Sequence, residues 1–435
     1  MERLRVSAGI LLLLLGSGCG RTQFFTKKAE NPPSCAVALA ELGGSDPLDR
    51  DIAQLQSKAR SVKNLQALEE LGQRLIAKAR ITNDPGFYKI AESCAQCLQL
   101  RDPGNAGALL LRGHVMHQLH RFKEAEAIAR QLAKVRRNVL DYGLLGDALM
   151  EQGRLEEAID AYQQMVDIKP FFQSYVRVAH LHWLKGDLSG ALQLMEAAIE
   201  SASVRDTESV AWAYSRLAVY QMQAGWTQRA LRSCEAALRY QSNYAPALLA
   251  RGRALMSQGD FARAADSLKI AAGENPVPEY QWALMEALRS AGRKDEERAV
   301  EARLLATGMS ADPRTFALYL ASQGREMSKA LDLSRRELDV RADAFTLDAV
   351  AWSLARSGRT GEARDMMRRA VAQGTVDARL FYHAGVIAAA AGDWSEARRW
   401  ADKATAIRQM LLPSERERLE NLRSHLRSPG YRAAG

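Results

Sequence analysis

His114, His117 and His120 stand three residues apart in the stretch His114-Val-Met-His117-Gln-Leu-His120. On a helix that spacing brings His114 and His117 to one face. Paired imidazoles can ligate zinc, nickel or copper when a third or fourth ligand joins them. His180 and Asp147 share the phase of His114, so the three line up along a regular array. Neighbouring helical layers lie roughly 10 Å apart, too far for one ion to bridge. Polar wall residues are therefore the better reading, and no metal site is assigned. Cys94-Ala-Gln-Cys97 has the spacing of redox and metal motifs. It lies within a helical pattern, where a bridge between the two thiols would be strained. We read both as small, half-buried residues facing away from the histidines. No phosphate loop, nucleophile elbow, zinc-protease motif or dinucleotide fingerprint occurs. The chain is thus expected to be non-catalytic and to carry no cofactor.

The elements that must position these residues repeat. A small residue is followed seven positions later by a turn residue and five after that by Ala. Gly146, Gly153 and Ala158 make one such set. Ala179, Gly186 and Ala191 make the next, and Gly385, Gly392 and Ala397 a late one. Turn positions fall at Gly86, His120, Gly153, Gly186, Gly225, Gly259, Gly292, Gly324, Gly358 and Gly392, with extra residues inserted near 201–206. A period in this range marks stacked copies of one supersecondary unit. Apolar residues between turns keep helical spacing, as in Leu144, Leu145, Ala148 and Leu149. Gly suits the turn because the chain must pass through the left-handed region. The small residues let two antiparallel helices approach closely. Two adjacent copies depart from the pattern. One has Met285 and Glu297 at the small positions, and the other has Ala330 one place late. Irregular packing is expected there.

This pattern resembles the tetratricopeptide repeat, a helix–turn–helix of about 34 residues. The resemblance implies an all-α, right-handed α-solenoid of about ten repeats, elongated and held by local contacts. Residues 49–70 would form an N-terminal helical cap, 71–412 the solenoid, and 413–435 a capping helix and tail. Pro413-Ser414-Glu-Arg-Glu417 reads as a capping box for that last helix, with Leu419, Leu422 and Leu426 covering the final repeat. In this family the first helix of each repeat lines a concave groove that holds peptides or partner helices. Carried onto this chain, the groove comprises His114, His117, Asp147, Met150, His180, Trp183, Trp212, Met222, Arg253, Met256, Trp282, Glu286, Arg289 and Trp352. Met and Trp in a row would make an adaptable apolar surface for a protein partner. The alternative is a metal- or small-ligand-binding protein using the histidines and the groove.

The first residues carry a second signal. Met1-Glu-Arg-Leu-Arg5 is a charged start, and Val6 to Leu15 is apolar but too short to span a bilayer of ~30 Å. Leu15-Gly-Ser-Gly-Cys19 then resembles the box of bacterial lipoproteins. That resemblance implies a signal peptide over 1–18, acylation at Cys19 and a linker over 19–48. Gly20 after the Cys favours the outer membrane, facing the periplasm. Plain secretion or a retained N-terminal anchor are the other readings. Net charge is +9, with Arg crowded near the C-terminus among interleaved Glu. We read that crowd, which includes Arg408 and Arg416, as a solvated helix face; attraction to anionic lipid headgroups, peptidoglycan or an acidic partner is the alternative. Export argues against nucleic acid as a partner, and no nucleic-acid motif is present.

Overall fold

The computed structural model describes residues 32–203 and 206–427. Every regular element among them is a helix. Ten antiparallel hairpins run from Leu65–Thr82 paired with Gly86–Arg101 to Ala378–Ala390 paired with Trp394–Ala406. We number these repeats 1 to 10. Pro413–Arg427 follows as the final helix.

The small residues do what their positions require. In repeat 3, a Cβ at Gly146 would lie 2.3 Å from Cε1 of Tyr162 on the facing helix. Ala158, on that second helix, is fully buried. Ala191, Ala264, Ala363 and Ala397 are equally sealed in their own repeats. The two irregular copies have physical explanations. In repeat 7, Glu297 stands where Ala is usual and is held by Arg289, with Nε to Oε1 at 2.7 Å. Only Leu304 and Gly308 of that repeat's second helix are buried. In repeat 8 the turn holds two left-handed residues, Gly324 and Glu326. The added turn residue delays the second helix to Met327, which is why Ala330 comes one place late.

Two turn assignments separate. His120 is left-handed at φ 58°, as its phase demanded. Gly86 is not the turn residue: Asn83 takes the left-handed position at φ 52°, and Gly86 opens the following helix. The N-terminal region also departs from expectation. Within the span read as linker, Pro33–Ala38 is helical, and Pro47–Ala59 starts earlier than expected. Asp46 caps the latter by accepting from the Asp49 amide at 2.8 Å. Lys78 of repeat 1 bonds Asp46 at 2.6 Å and Asp49 at 2.8 Å. Cys35 and Cys97 form a disulfide that clamps this segment onto repeat 1. Cys97 is therefore neither half-buried nor free, and Cys94 is a buried thiol whose pKa burial pushes up to about 12.

The largest correction concerns shape. The array is not held by local contacts alone; it folds back on itself. The links that follow repeats 8, 9 and 10 rest against the turns of repeats 3 to 6. The Ala342 amide donates to the Glu151 carbonyl (3.2 Å). The Gln223 side chain donates to the Val376 carbonyl (3.1 Å). Gln409 donates to the carbonyls of Met222 (3.2 Å) and Gln223 (2.9 Å). Arg416 donates to the Met256 carbonyl (2.9 Å). Each side contributes one link or one turn per repeat, so the seam inherits the repeat's period. It also satisfies helix-end carbonyls that would otherwise need water.

Candidate functional site

The closed array encloses an inner wall built from first helices. Residues one turn apart on each helix face inward, as side-chain direction on a helix requires. Repeat 2 supplies His114 and His117, repeat 3 Asp147 and Met150, and repeat 4 Arg177 and His180, all half-buried. Arg177 grips Asp147 with two bonds, Nε to Oδ1 at 2.8 Å and Nη2 to Oδ2 at 2.7 Å. Tyr162 donates to the same carboxylate at 2.7 Å. Burial alone would lift the Asp147 carboxyl, but Arg177 and Tyr162 hold it below the usual carboxylate range. Arg216 reaches His180 at 3.3 Å and lies over the rings of Trp183 (5.4 Å) and Tyr220 (5.5 Å). Burial, then the neighbouring Arg216, lowers the His180 pKa to about 3. Burial, then Arg177, lowers that of His114 to about 4. Both rings are neutral at physiological pH, so the permanent charges of this wall come from Arg, Asp and Glu.

Where the seam meets this wall a cavity of about 190 Å³ remains. Met150, Glu151 and His180 line it from one side, and Arg314, Arg341 and Phe345 from the other. Glu151 is raised in pKa by burial and by the nearby Asp343. Arg314 lies 3.4 Å from Asp343, and Arg341 lies 3.6 Å from Glu151 and 3.0 Å from Glu337.

The residues expected in an open groove divide three ways. His114, His117, Asp147, Met150, His180, Trp212 and Arg253 are half-buried. Arg289 is exposed and tied to Glu297. Trp183, Met222, Met256, Trp282, Glu286 and Trp352 are sealed, between 1% and 7% exposed. The expectation of an open groove is corrected for these six: contacts from distant repeats cover most of them, and Trp352 is sealed by its neighbouring repeats. Gln409 and Arg416 cap the carbonyls beside Met222 and Met256. Arg379 lies 4.8 Å over the Trp282 ring. Ser414 donates to Glu286 through its amide (3.0 Å) and its hydroxyl (2.8 Å). Ser414 is thus not the cap of its own helix: Glu415 accepts from the Leu412 amide instead (2.8 Å). Trp352 stacks on His383 at 3.9 Å, and His383 bonds Asp348 at 2.8 Å. Asp147 serves as an internal tie for Arg177 and Tyr162.

Sequence reasoning missed Arg177, Arg216, Arg314 and Arg341. The first two share the inward phase of their helices, and that phase was the available signal. The last two arrive across the seam, and no local pattern announces them. His117 packs edge-on against Phe122 at 5.2 Å, and its Nε2 has no hydrogen-bond partner among the described residues. Among the described residues no three His, Cys, Asp or Glu side chains gather as a metal site. Cys19 and the rest of the N-terminal signal lie outside the described residues.

The tetratricopeptide repeat family profile matches residues 118–171, 215–276, 249–312 and 350–409. No curated protein matches the sequence. Among solved structures, the human IFIT1 dimer with PPP-AAAA is 12% identical, with 86% of this chain and 93% of that one covered and a TM-score of 0.47. PilF of Pseudomonas aeruginosa is 13% identical, covering 53% and 97%, with a TM-score of 0.39. The MamA protein is 18% identical, covering 39% and 92%, with a TM-score of 0.31. The match identifies the helical hairpins of those segments as tetratricopeptide repeats, and the other hairpins share their left-handed turns and period.

Proposed function

We propose that this chain is a non-catalytic protein-binding scaffold of the bacterial cell envelope, tethered to the outer membrane by lipid on Cys19 and facing the periplasm. The observation that carries the binding reading is the inner wall of repeats 2 to 5. It stays polar and half-open beside a seam that seals the rest. Its cavity of about 190 Å³ is smaller than the ~300 Å³ at which small-molecule pockets begin. It suits one anchoring side chain of a partner segment better than a whole solute. Met150, Leu184 and Phe345 offer that anchor apolar contact, and Glu151, Arg314 and Arg341 offer polar ends. The wall is preformed, so docking would require little ordering of the receptor.

Two features support the location. The charged start, short apolar run and small residues before Cys19 fit an exported lipoprotein. The Cys35–Cys97 disulfide fits an oxidising compartment. Crosslinking and pull-down from intact envelopes, comparing wild type with Met150→Ala/His180→Ala, tests the binding site. Partners recovered equally by both proteins would sink the inner-wall reading. Membrane fractionation of Cys19→Ser tests the tether: release into the soluble fraction is expected, and unchanged membrane association rules out acylation as the anchor.

A further inference from the structure

A second opening lies on the seam, away from the cavity above. It is a cleft of about 300 Å³ between the turn of repeat 6 and the link to the final helix. Ser257, Thr405, Arg408, Gln409 and Arg416 line it, and none of its lining residues is acidic. The hydrogen-bonding capacity around it is unevenly used. Ser257 donates to the Ala254 carbonyl and Thr405 to the Ala401 carbonyl, both at 2.7 Å. Gln409 is spent on Met222 and Gln223. Arg416 donates through Nη2 to Met256, but its Nε is buried without a partner among the described residues. An unpaired buried N–H is costly, so such a group calls for a partner. Arg408 is exposed, and no carboxylate lies within ion-pair distance of it among the described residues.

The charges nearby do not neutralise this pair. Arg253, behind the cleft, adds a third guanidinium; it donates to the Met410 carbonyl and is 3.9 Å from Glu279. Glu415 is taken by Arg379, and Glu286 by Ser414 and Arg289. Burial, then Arg253 and Arg408, lowers the Arg416 pKa, and the opposing pull of Glu415 and Glu286 does not cancel them.

We propose that this cleft binds a phosphoryl dianion between the guanidinium groups of Arg408 and Arg416. Two planar guanidinium forks lining one cleft, from the short helix Arg408–Met410 and from the final helix, match the oxygens of a phosphate group, and the two charges balance. The fixed Arg416 supplies the preformed half of the site. The exposed Arg408 closes over the ligand. The phosphate could come from solution or from a phosphomonoester headgroup at a membrane surface; the recognition chemistry is the same.

Inorganic phosphate is titrated into the full chain by calorimetry at constant ionic strength, with chloride as the balancing anion. Saturable binding is expected, weakened about tenfold in Arg408→Gln and in Arg416→Gln, as loss of one charge-assisted pair implies. Arg408 is exposed and makes no internal bond, so Arg408→Gln remains decisive if Arg416→Gln fails to fold. Absence of saturable binding to wild type, or an Arg408→Gln protein that binds equally well, overturns the proposal. In parallel, the full chain carrying Cys19→Ser, which has no acyl acceptor, is floated with phosphatidylcholine vesicles with and without phosphatidic acid. Flotation that needs phosphatidic acid and Arg408 assigns the headgroup as source. Binding of free phosphate without flotation assigns the solute.

Discussion

The turn of repeat 3 and the turn of repeat 9 are built alike, yet they face different demands. Gly153 and Gly358 both sit in the left-handed region, at φ 72° and 77°. At Gly358 a Cβ would meet nothing within 4 Å; at Gly153 it would lie 2.3 Å from the Ala342 carbonyl oxygen. One glycine serves only its own hairpin. The other also admits a distant backbone. The contrast separates two kinds of stability in this chain: what each repeat supplies locally, and what the closed seam adds by joining repeats far apart in sequence. In an open solenoid, stability is a sum of repeats and nearest-neighbour interfaces. Here a third class of contact makes repeats 3 to 6 and 8 to 10 depend on one another.

The largest effect is expected where charge is buried most deeply, between repeat 10 and the final helix that closes the seam. Glu415 is 1% exposed and held by Arg379 at 2.5 Å. Arg379→Ala would leave that carboxylate buried without its cation, a change typically worth about 3–5 kcal/mol. Denaturant unfolding measures it, and a loss below ~1 kcal/mol would mean the pair is not sealed. Next comes the glycine contrast itself. Gly358→Ala should cost about 1 kcal/mol, from the left-handed backbone alone. Gly153→Ala should cost about 2–4 kcal/mol, because the Cβ must also displace a carbonyl. Equal costs at the two turns would show that the seam is open in solution.

Acid should act on the inner wall. His114 and His180 have folded pKa values of about 4 and about 3, below the ordinary 6.5. The unfolded chain therefore binds more protons between those limits. Stability is fully present above pH 6.5 and falls as pH drops toward 4. Thermal melts across that window check it, and His180→Gln should flatten part of the slope. The smallest effect is expected at the outer tie between Arg80 and Glu208, 3.1 Å apart with Arg80 half in solvent. Arg80→Ala should change stability by less than ~1 kcal/mol, as exposed pairs usually do.

These differences also explain what could be read in advance. The hairpins were legible because each rests on residues close in sequence. Gly146 meets Tyr162, Gly252 meets Leu268, and the displaced Ala330 already hinted at an altered turn. The inner-wall positions of His114, Asp147 and His180 followed from phase. The seam did not, because its side-chain bonds join residues well over a hundred positions apart, and nothing periodic in the sequence pairs Gln409 with Gln223 or Ser414 with Glu286. That is why Trp282 and Met256 resembled groove residues and proved to be interior. The disulfide is hidden for a related reason: Cys35 lies in a stretch with the composition of a linker, and Cys94 offers Cys97 a nearer partner in sequence.

A chain of hairpins that touches only its neighbours can gain or lose a unit anywhere and merely change length. Bonding the Gln409 side chain to Met222 and the Ala342 amide to Glu151 removes that freedom. Deleting or duplicating one hairpin between those anchors would shift every rung beyond it out of step. Copy number inside the loop is thereby locked.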